Sequence, residues 1–172
     1  MESEDQLINR VSKSSLVVFD LEQYYKSGER VSIDIKDQLF QGLILREKDF
    51  REYIKNHNWI QYKNKFVAIH CSTDAIVPTW AYMLLSIALE PYASRMIFGS
   101  LQELETQLYY DAFSTIDWTS YMNSKVVIKG CSKVDVPVAV YVEATSRLKS
   151  LASSLMFGEP CSTVPLYKRA KE

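Results

Sequence analysis

Apolar residues along this chain fall into short runs that alternate between a strand-like and a helix-like period. Phe66–Ile69, Arg95–Phe98, Val126–Ile128 and Ser154–Phe157 are brief, β-rich runs. Between them, Tyr82, Leu85 and Leu89 form a stripe at helical spacing, and Val138, Tyr141, Val142 and Leu148 form a looser one. Leu101, Leu104, Leu108 and Ala112 share one face of a third helix, predicted over 101–116. From residue 65 onward the order is strand, helix, strand, helix, strand, helix, strand. That alternation calls for a parallel sheet with right-handed crossovers.

The first 64 residues follow a different pattern. "SSLVVFDLEQYY" (14–25) contains one strand, and "RVSIDIKDQLFQGLILRE" (30–47) reads as two more joined by a tight turn. "REKDFREYIKNHNW" (46–59) alternates charge with Phe50, Tyr53 and Ile54 and reads as a surface helix, with His57 at its solvated end. No Pro/Gly/Ser-rich linker divides the chain. The expected organisation is one α/β domain over 1–172, with an N-terminal α+β extension (1–64) covering an edge of the sheet.

The α/β part contains an internal repeat. "KFVAIHCSTDAIVPTWAYMLLSIALEPYASRMIFG" (65–99) resembles "KVVIKGCSKVDVPVAVYVEATSRLKSLASSLMFG" (125–158). Tyr82 and Tyr141 each follow their proline, Pro78 or Pro137, at the same distance, and Phe98-Gly99 matches Phe157-Gly158. Aligning Cys71 with Cys131 makes the two loops before the prolines differ by one residue and pairs His70 with Gly130. Two such βαβ units most simply stand back to back. Their first strands are then expected side by side in one mostly parallel sheet, with helices on opposite faces and a crevice at the carboxyl ends of the strands.

Composition narrows the function classes. A formal net charge of -1 leaves no electrostatic footprint for nucleic acid or an anionic membrane, so neither is an expected partner. The opening "MESEDQLINR" is acidic and polar, unlike a secretory signal. The longest apolar run, 78–91, is too short to cross a bilayer. Three cysteines is an odd number for a disulfide framework, and the expected compartment is the reducing cytoplasm. There clustered cysteines serve metal binding or chemistry more often than crosslinking. The aromatic stretch 109–121 lacks interleaved basic residues and reads as packing. Lys168, Arg169 and Lys171 read as a solvated tail.

All three cysteines open a segment that begins Cys-Ser and closes Val-Pro: "CSTDAIVP", "CSKVDVP" and "CSTVP". Cys71 and Cys131 follow predicted strands and precede predicted helices, and Cys161 follows the last strand. A thiolate in that place meets free backbone N–H groups and the positive end of a helix dipole, which lower its pKa. The expected site is a metal centre on Cys71, Cys131 and Cys161, an iron–sulfur cluster being preferred over zinc or mononuclear iron. Ser72, Ser132 and Ser162 can donate to the sulfurs. Asp74, Asp135, His70 or Glu159 can fill a fourth position or support the ligands. A cofactor-free thiol-redox enzyme, or a binding module using the same crevice, is the alternative. A packing role for copied cysteines explains Cys71 and Cys131 but not Cys161, which lies outside the repeat.

"DIKDQLFQGLILREKDFREYIKNH", "CSTDAIVPTWAYMLL", "VVIKGCS" and "GEPCSTVPLYK" together resemble a mainly Bacteroidetes family, domain of unknown function 2480, across nearly the whole chain. The resemblance brings no activity. It implies a neighbourhood of iron–sulfur assembly genes, which favours a cluster over zinc and makes iron–sulfur assembly proteins expected partners. Apart from the resemblance, a second copy in a homo-oligomer is a further candidate partner. A looser similarity is to quinolinate synthase, in which repeated α/β units each contribute one cysteine to a cluster. It supports geometry only, not the reaction.

Overall fold

The computed structural model describes residues 16–130 and 133–170. They form a mixed α/β protein of mostly parallel strands, divided into two compact units. The first combines the chain up to Tyr25 with everything from Tyr109 onward; the second is Lys26–Leu108. The second unit is therefore inserted into the first.

The inserted unit is a three-stranded parallel sheet in the order β2 (Arg30–Asp34), β3 (Phe66–His70), β4 (Arg95–Phe98). Helices α1 (Glu47–Asn56) and α2 (Thr79–Leu89) make its two crossovers. Residues 66–69 of the central strand are buried on both faces, which is why Phe66–Ile69 reads as a continuous apolar run. Val67 and Ile69 face Phe50 of α1 and Ala81, Leu85 and Leu89 of α2. Phe66 and Ala68 face Leu104 and Leu108, at the start of α3 (Leu101–Phe113).

The other unit has a four-stranded sheet in the order β1 (Leu16–Asp20), β5 (Lys125–Lys129), β6 (Ser154–Glu159), β7 (Ser162–Lys168). The first three strands are parallel and β7 is antiparallel. Helix α4 (Val138–Lys149) crosses from β5 to β6 and buries Val140, Ala144 and Leu148. The aromatic stretch is core, as expected: Phe113, Trp118 and Tyr121 all touch the ring of Phe19.

The units are duplicates, and a constant offset of 59 residues relates them. Trp59 and Trp118 donate their indole N–H to Ile54 O and Phe113 O. Asn64 and Asn123 both adopt positive φ, and their N–H groups bond Tyr92 O and Leu151 O. Pro78 and Pro137 are the N-caps of α2 and α4. Gly99, just after β4, and Gly158, one residue before the end of β6, have φ 142° and 123°, and a Cβ there would lie 2.7 Å from Glu103 Oε2 and 2.6 Å from Ser162 O. The duplication extends to the first strands, which sequence similarity alone did not reveal. Asp20 and Asp34 end β1 and β2, and each caps a short 3-10 helix by accepting from the N–H two residues on.

Three expectations need correction. The repeat strands β3 and β5 are not neighbours; they belong to different sheets. The reason lies in the N-terminal segment, which is not a separate layer but gives each sheet its first strand. β2 occupies one edge of β3 and β1 occupies the corresponding edge of β5. Residues 30–47 form one strand, not two: a 3-10 helix follows at Ile35–Gln38, then a turn closed by a lone Phe40–Ile44 bridge. Arg169 is exposed, as expected of a solvated tail, but it is anchored. Its guanidinium bonds the carbonyls of Leu151 (3.0 Å) and Ala152 (3.1 Å) and Asn123 Oδ1 (2.8 Å), satisfying groups just beyond the C-terminus of α4. Lys171 lies outside the described residues.

Candidate functional site

Parallel strands place the last residues of neighbouring strands together, and in both units the polar chemistry gathers there. In the inserted unit Asp34 ends β2 beside His70, which ends β3. The next two residues are Cys71 and Ser72. Ser72 donates to the Asp34 carboxylate twice, from its N–H to Oδ1 (3.1 Å) and from its hydroxyl to Oδ2 (2.5 Å). Partial desolvation favours the protonated acid. The Ser72 hydroxyl, the N–H groups of Lys36 and Ser72, and the His70 ring outweigh it and hold Asp34 well below the usual carboxylate range. The Cys71 thiol is half-buried and donates to Thr73 O at 3.4 Å. Burial, together with the nearby Cys71 and Asp34, pushes the Tyr82 hydroxyl up. The Tyr82 ring stands edge-on to Phe98, with centroids 4.9 Å apart.

In the other unit Asp20 ends β1 and Lys129 ends β5. The Lys129 ammonium lies 4.0 Å from Asp20 and 3.5 Å from Glu159, the last residue of β6. Cys161 sits two residues beyond Glu159, exposed in the turn into β7, and Ser162 opens that strand. Next to this edge is an apolar cavity of about 260 Å³ lined by Ile128, Val138, Tyr141, Thr145, Phe157 and Leu166.

Of the expected ligands, Cys71 and Cys161 thus stand at strand ends, while Cys131 and Ser132 lie outside the described residues. Glu159 shares its edge with Cys161, and His70 shares its edge with Cys71. Asp74 and Asp135 are exposed loop positions. Among the described residues no three His, Cys, Asp or Glu side chains converge as a ligand set. Ser72 does not support the Cys71 sulfur as expected, because its hydroxyl bonds Asp34 instead.

The offset of 59 also corrects the alignment of the cysteines. Seven residues separate His70 from Pro78, and seven separate Lys129 from Pro137, so the loops do not differ in length. His70 therefore matches Lys129, Cys71 matches Gly130, and Ser72 matches Cys131. The tyrosines bear this out. A Cβ on Gly130 would clash with the Tyr141 hydroxyl and come within 2.9 Å of its ring, so the phenol of one unit occupies the room that the other gives to Cys71. Gly130→Ala should displace that ring and lower stability by about 1–3 kcal/mol, read by urea unfolding.

Sequence reading missed Asp34, Asp20 and Lys129. A signal existed: "VVFDLE" and "VSIDIK" place Asp between apolar residues 14 positions apart.

Taken together, fold and site define a duplicated, nested α/β protein that carries cysteines and carboxylates at the carboxyl ends of parallel strands. The chain belongs to the family described as protein of unknown function (DUF2480), which matches residues 5–169. No curated protein and no solved structure matches it.

Proposed function

We propose that the protein holds a soft metal centre on thiolates at its strand ends, with Cys131 and Cys161 as its nucleus. The observation that carries this reading is the pairing of β5 with β6. They are adjacent and parallel, with Ile128 opposite Phe157. Cys161 follows the last residue of β6 by two positions, and Cys131 follows the last residue of β5 by the same step in sequence. Neighbouring strands are about 4.8 Å apart. Thiolates on one tetrahedral zinc are about 3.8 Å apart, and cluster ligands stand somewhat wider. Cys161 stands in the turn from β6 into β7 at the edge where β5 also ends, within reach of a centre shared with the residues that follow β5. The Lys129 ammonium at this edge offsets thiolate charge, and Glu159 is the carboxylate best placed to complete the ligand set. An iron–sulfur cluster is favoured over zinc or mononuclear iron by what the family resemblance implies, with iron–sulfur assembly proteins as partners.

The cavity beside this edge favours a second reading, a cofactor-free binding module. Anaerobic purification separates the two. The first reading expects visible absorbance with iron and acid-labile sulfide, or stoichiometric zinc. Colourless, metal-free protein that gains no metal from ferrous iron with sulfide, or from zinc, leaves only the second.

A further inference from the structure

His57 is no solvated helix end. Its ring packs among Trp59 (centroids 4.5 Å apart), Tyr53 (5.0 Å) and Tyr62 (5.8 Å), where α1 turns into the 3-10 helix Trp59–Tyr62. The duplicate shows what this seat is built for. At the matching position the other unit has Ile116, partly buried and packed, like Trp118 and Tyr121, against its core. A histidine thus stands in a place shaped for an aliphatic side chain.

The hydrogen bonds state which form of the histidine fits. His57 Nε2 lies 3.0 Å from Gln61 Nε2 and 3.2 Å from the Tyr62 hydroxyl. Gln61 Nε2 also donates to Asn58 O at 2.8 Å, and that bond fixes which end of the amide is nitrogen. His57 Nε2 must therefore accept, which only the neutral ring with its proton on Nδ1 can do. A proton on Nε2 would point at an N–H donor.

We infer that His57 is a proton-sensitive joint: the neutral ring holds the corner between α1 and the 3-10 helix, and protonation releases it. The titratable groups facing the ring are the phenols of Tyr53 and Tyr62. Burial pushes both up, Tyr53 to about 12, so both are neutral near pH 7. Helix α2, which packs against the same 3-10 helix, contains no Asp, Glu, Lys, Arg or His. Among the described residues, the contacts of the ring are aromatic or amide groups and include no carboxylate. In agreement, burial holds His57 below its ordinary value of 6.5. A group whose folded pKa lies below its unfolded one contributes fully above pH 6.5. That contribution is lost as the pH falls through 6.5 toward the folded value. Each unit of separation multiplies the open population about tenfold. Three residues separate the 3-10 helix from β3, so the joint lies just upstream of the strand that ends at His70.

The test uses the full chain, whose two histidines are His57 and His70. Imidazole ¹⁵N NMR should show His57 as the Nδ1–H tautomer at pH 7.5, titrating below 6.5. Amide protection over residues 57–62 should fall from pH 7.5 to pH 5, and His57→Ile should remove that acid-dependent loss. An Nε2–H tautomer, a midpoint at or above 6.5, or the same acid loss in His57→Ile would overturn the inference. The NMR arm uses wild-type protein and stands even if the variant does not fold.

Discussion

Phe19→Ala should lower the unfolding free energy by about 3–5 kcal/mol, the largest single-residue effect on stability expected in this chain. Phe19 is 1% exposed, and its ring meets those of Tyr24 (5.1 Å), Trp118 (5.3 Å), Tyr121 (5.5 Å) and Phe113 (5.8 Å). Each such ring pair adds about 0.5–1.5 kcal/mol beyond area burial. Truncation also leaves a cavity whose stiff aromatic walls cannot collapse far. The same cluster buries the Tyr24 phenol, whose pKa burial and the Tyr121 hydroxyl push up to about 12. Urea unfolding followed by tryptophan fluorescence measures the loss. Phe157→Ala, at a ring 41% exposed, serves as control and should cost clearly less. A loss below about 1 kcal/mol for Phe19→Ala would mean that β1 is not the strand on which this core is built.

Much of the fold was legible because its elements obey one period each. Arg95–Phe98 is a strand with the boundaries read from sequence, and the helix over 101–116 ends within three residues of the expected place. Strand partners were not legible. Pairing is decided by which edge is already filled, and β1 and β2 carry no local mark saying that they fill the edges of β5 and β3. The helix stripes were half right for a similar reason. Leu85, Leu89 and Leu148 are buried as read, but Ala81 and Ala144 hold the seats nearest the sheet while Val138 and Val142 are exposed. A close helix-to-sheet approach selects a small side chain, which a hydrophobicity pattern does not single out.

The site divides along the same line. That Cys71 and Cys161 stand close after strands was readable, since each follows a short apolar run. The one-residue displacement between Cys71 and Cys131 was not, because the shared Cys-Ser phrase invites a gap that the backbone does not contain. His57 shows the opposite failure. Its charged flanks on α1 suggested solvent, while the ring turns inward to the 3-10 helix and takes a seat that its duplicate gives to isoleucine.

Cys161→Ser should abolish metal binding. Cys161 lies outside the duplicated span, so copying of a packing residue does not explain it, and its side chain is exposed, so it is not a core residue. In the proposed centre its removal takes away one thiolate and leaves an under-coordinated ion or cluster, which dissociates or degrades. Because the position is exposed and in a turn, replacing sulfur by oxygen there should leave unfolding of the metal-free protein unchanged within about 0.5 kcal/mol. Loss of metal would then report ligation and not misfolding. The deciding measurement is metal and acid-labile sulfide per chain for Cys71→Ser, Cys131→Ser and Cys161→Ser, each purified anaerobically beside the wild type. The account predicts that Cys131→Ser and Cys161→Ser fall to near zero, while the urea midpoint of metal-free Cys161→Ser matches that of metal-free wild type. Full metal retained by Cys161→Ser would contradict it.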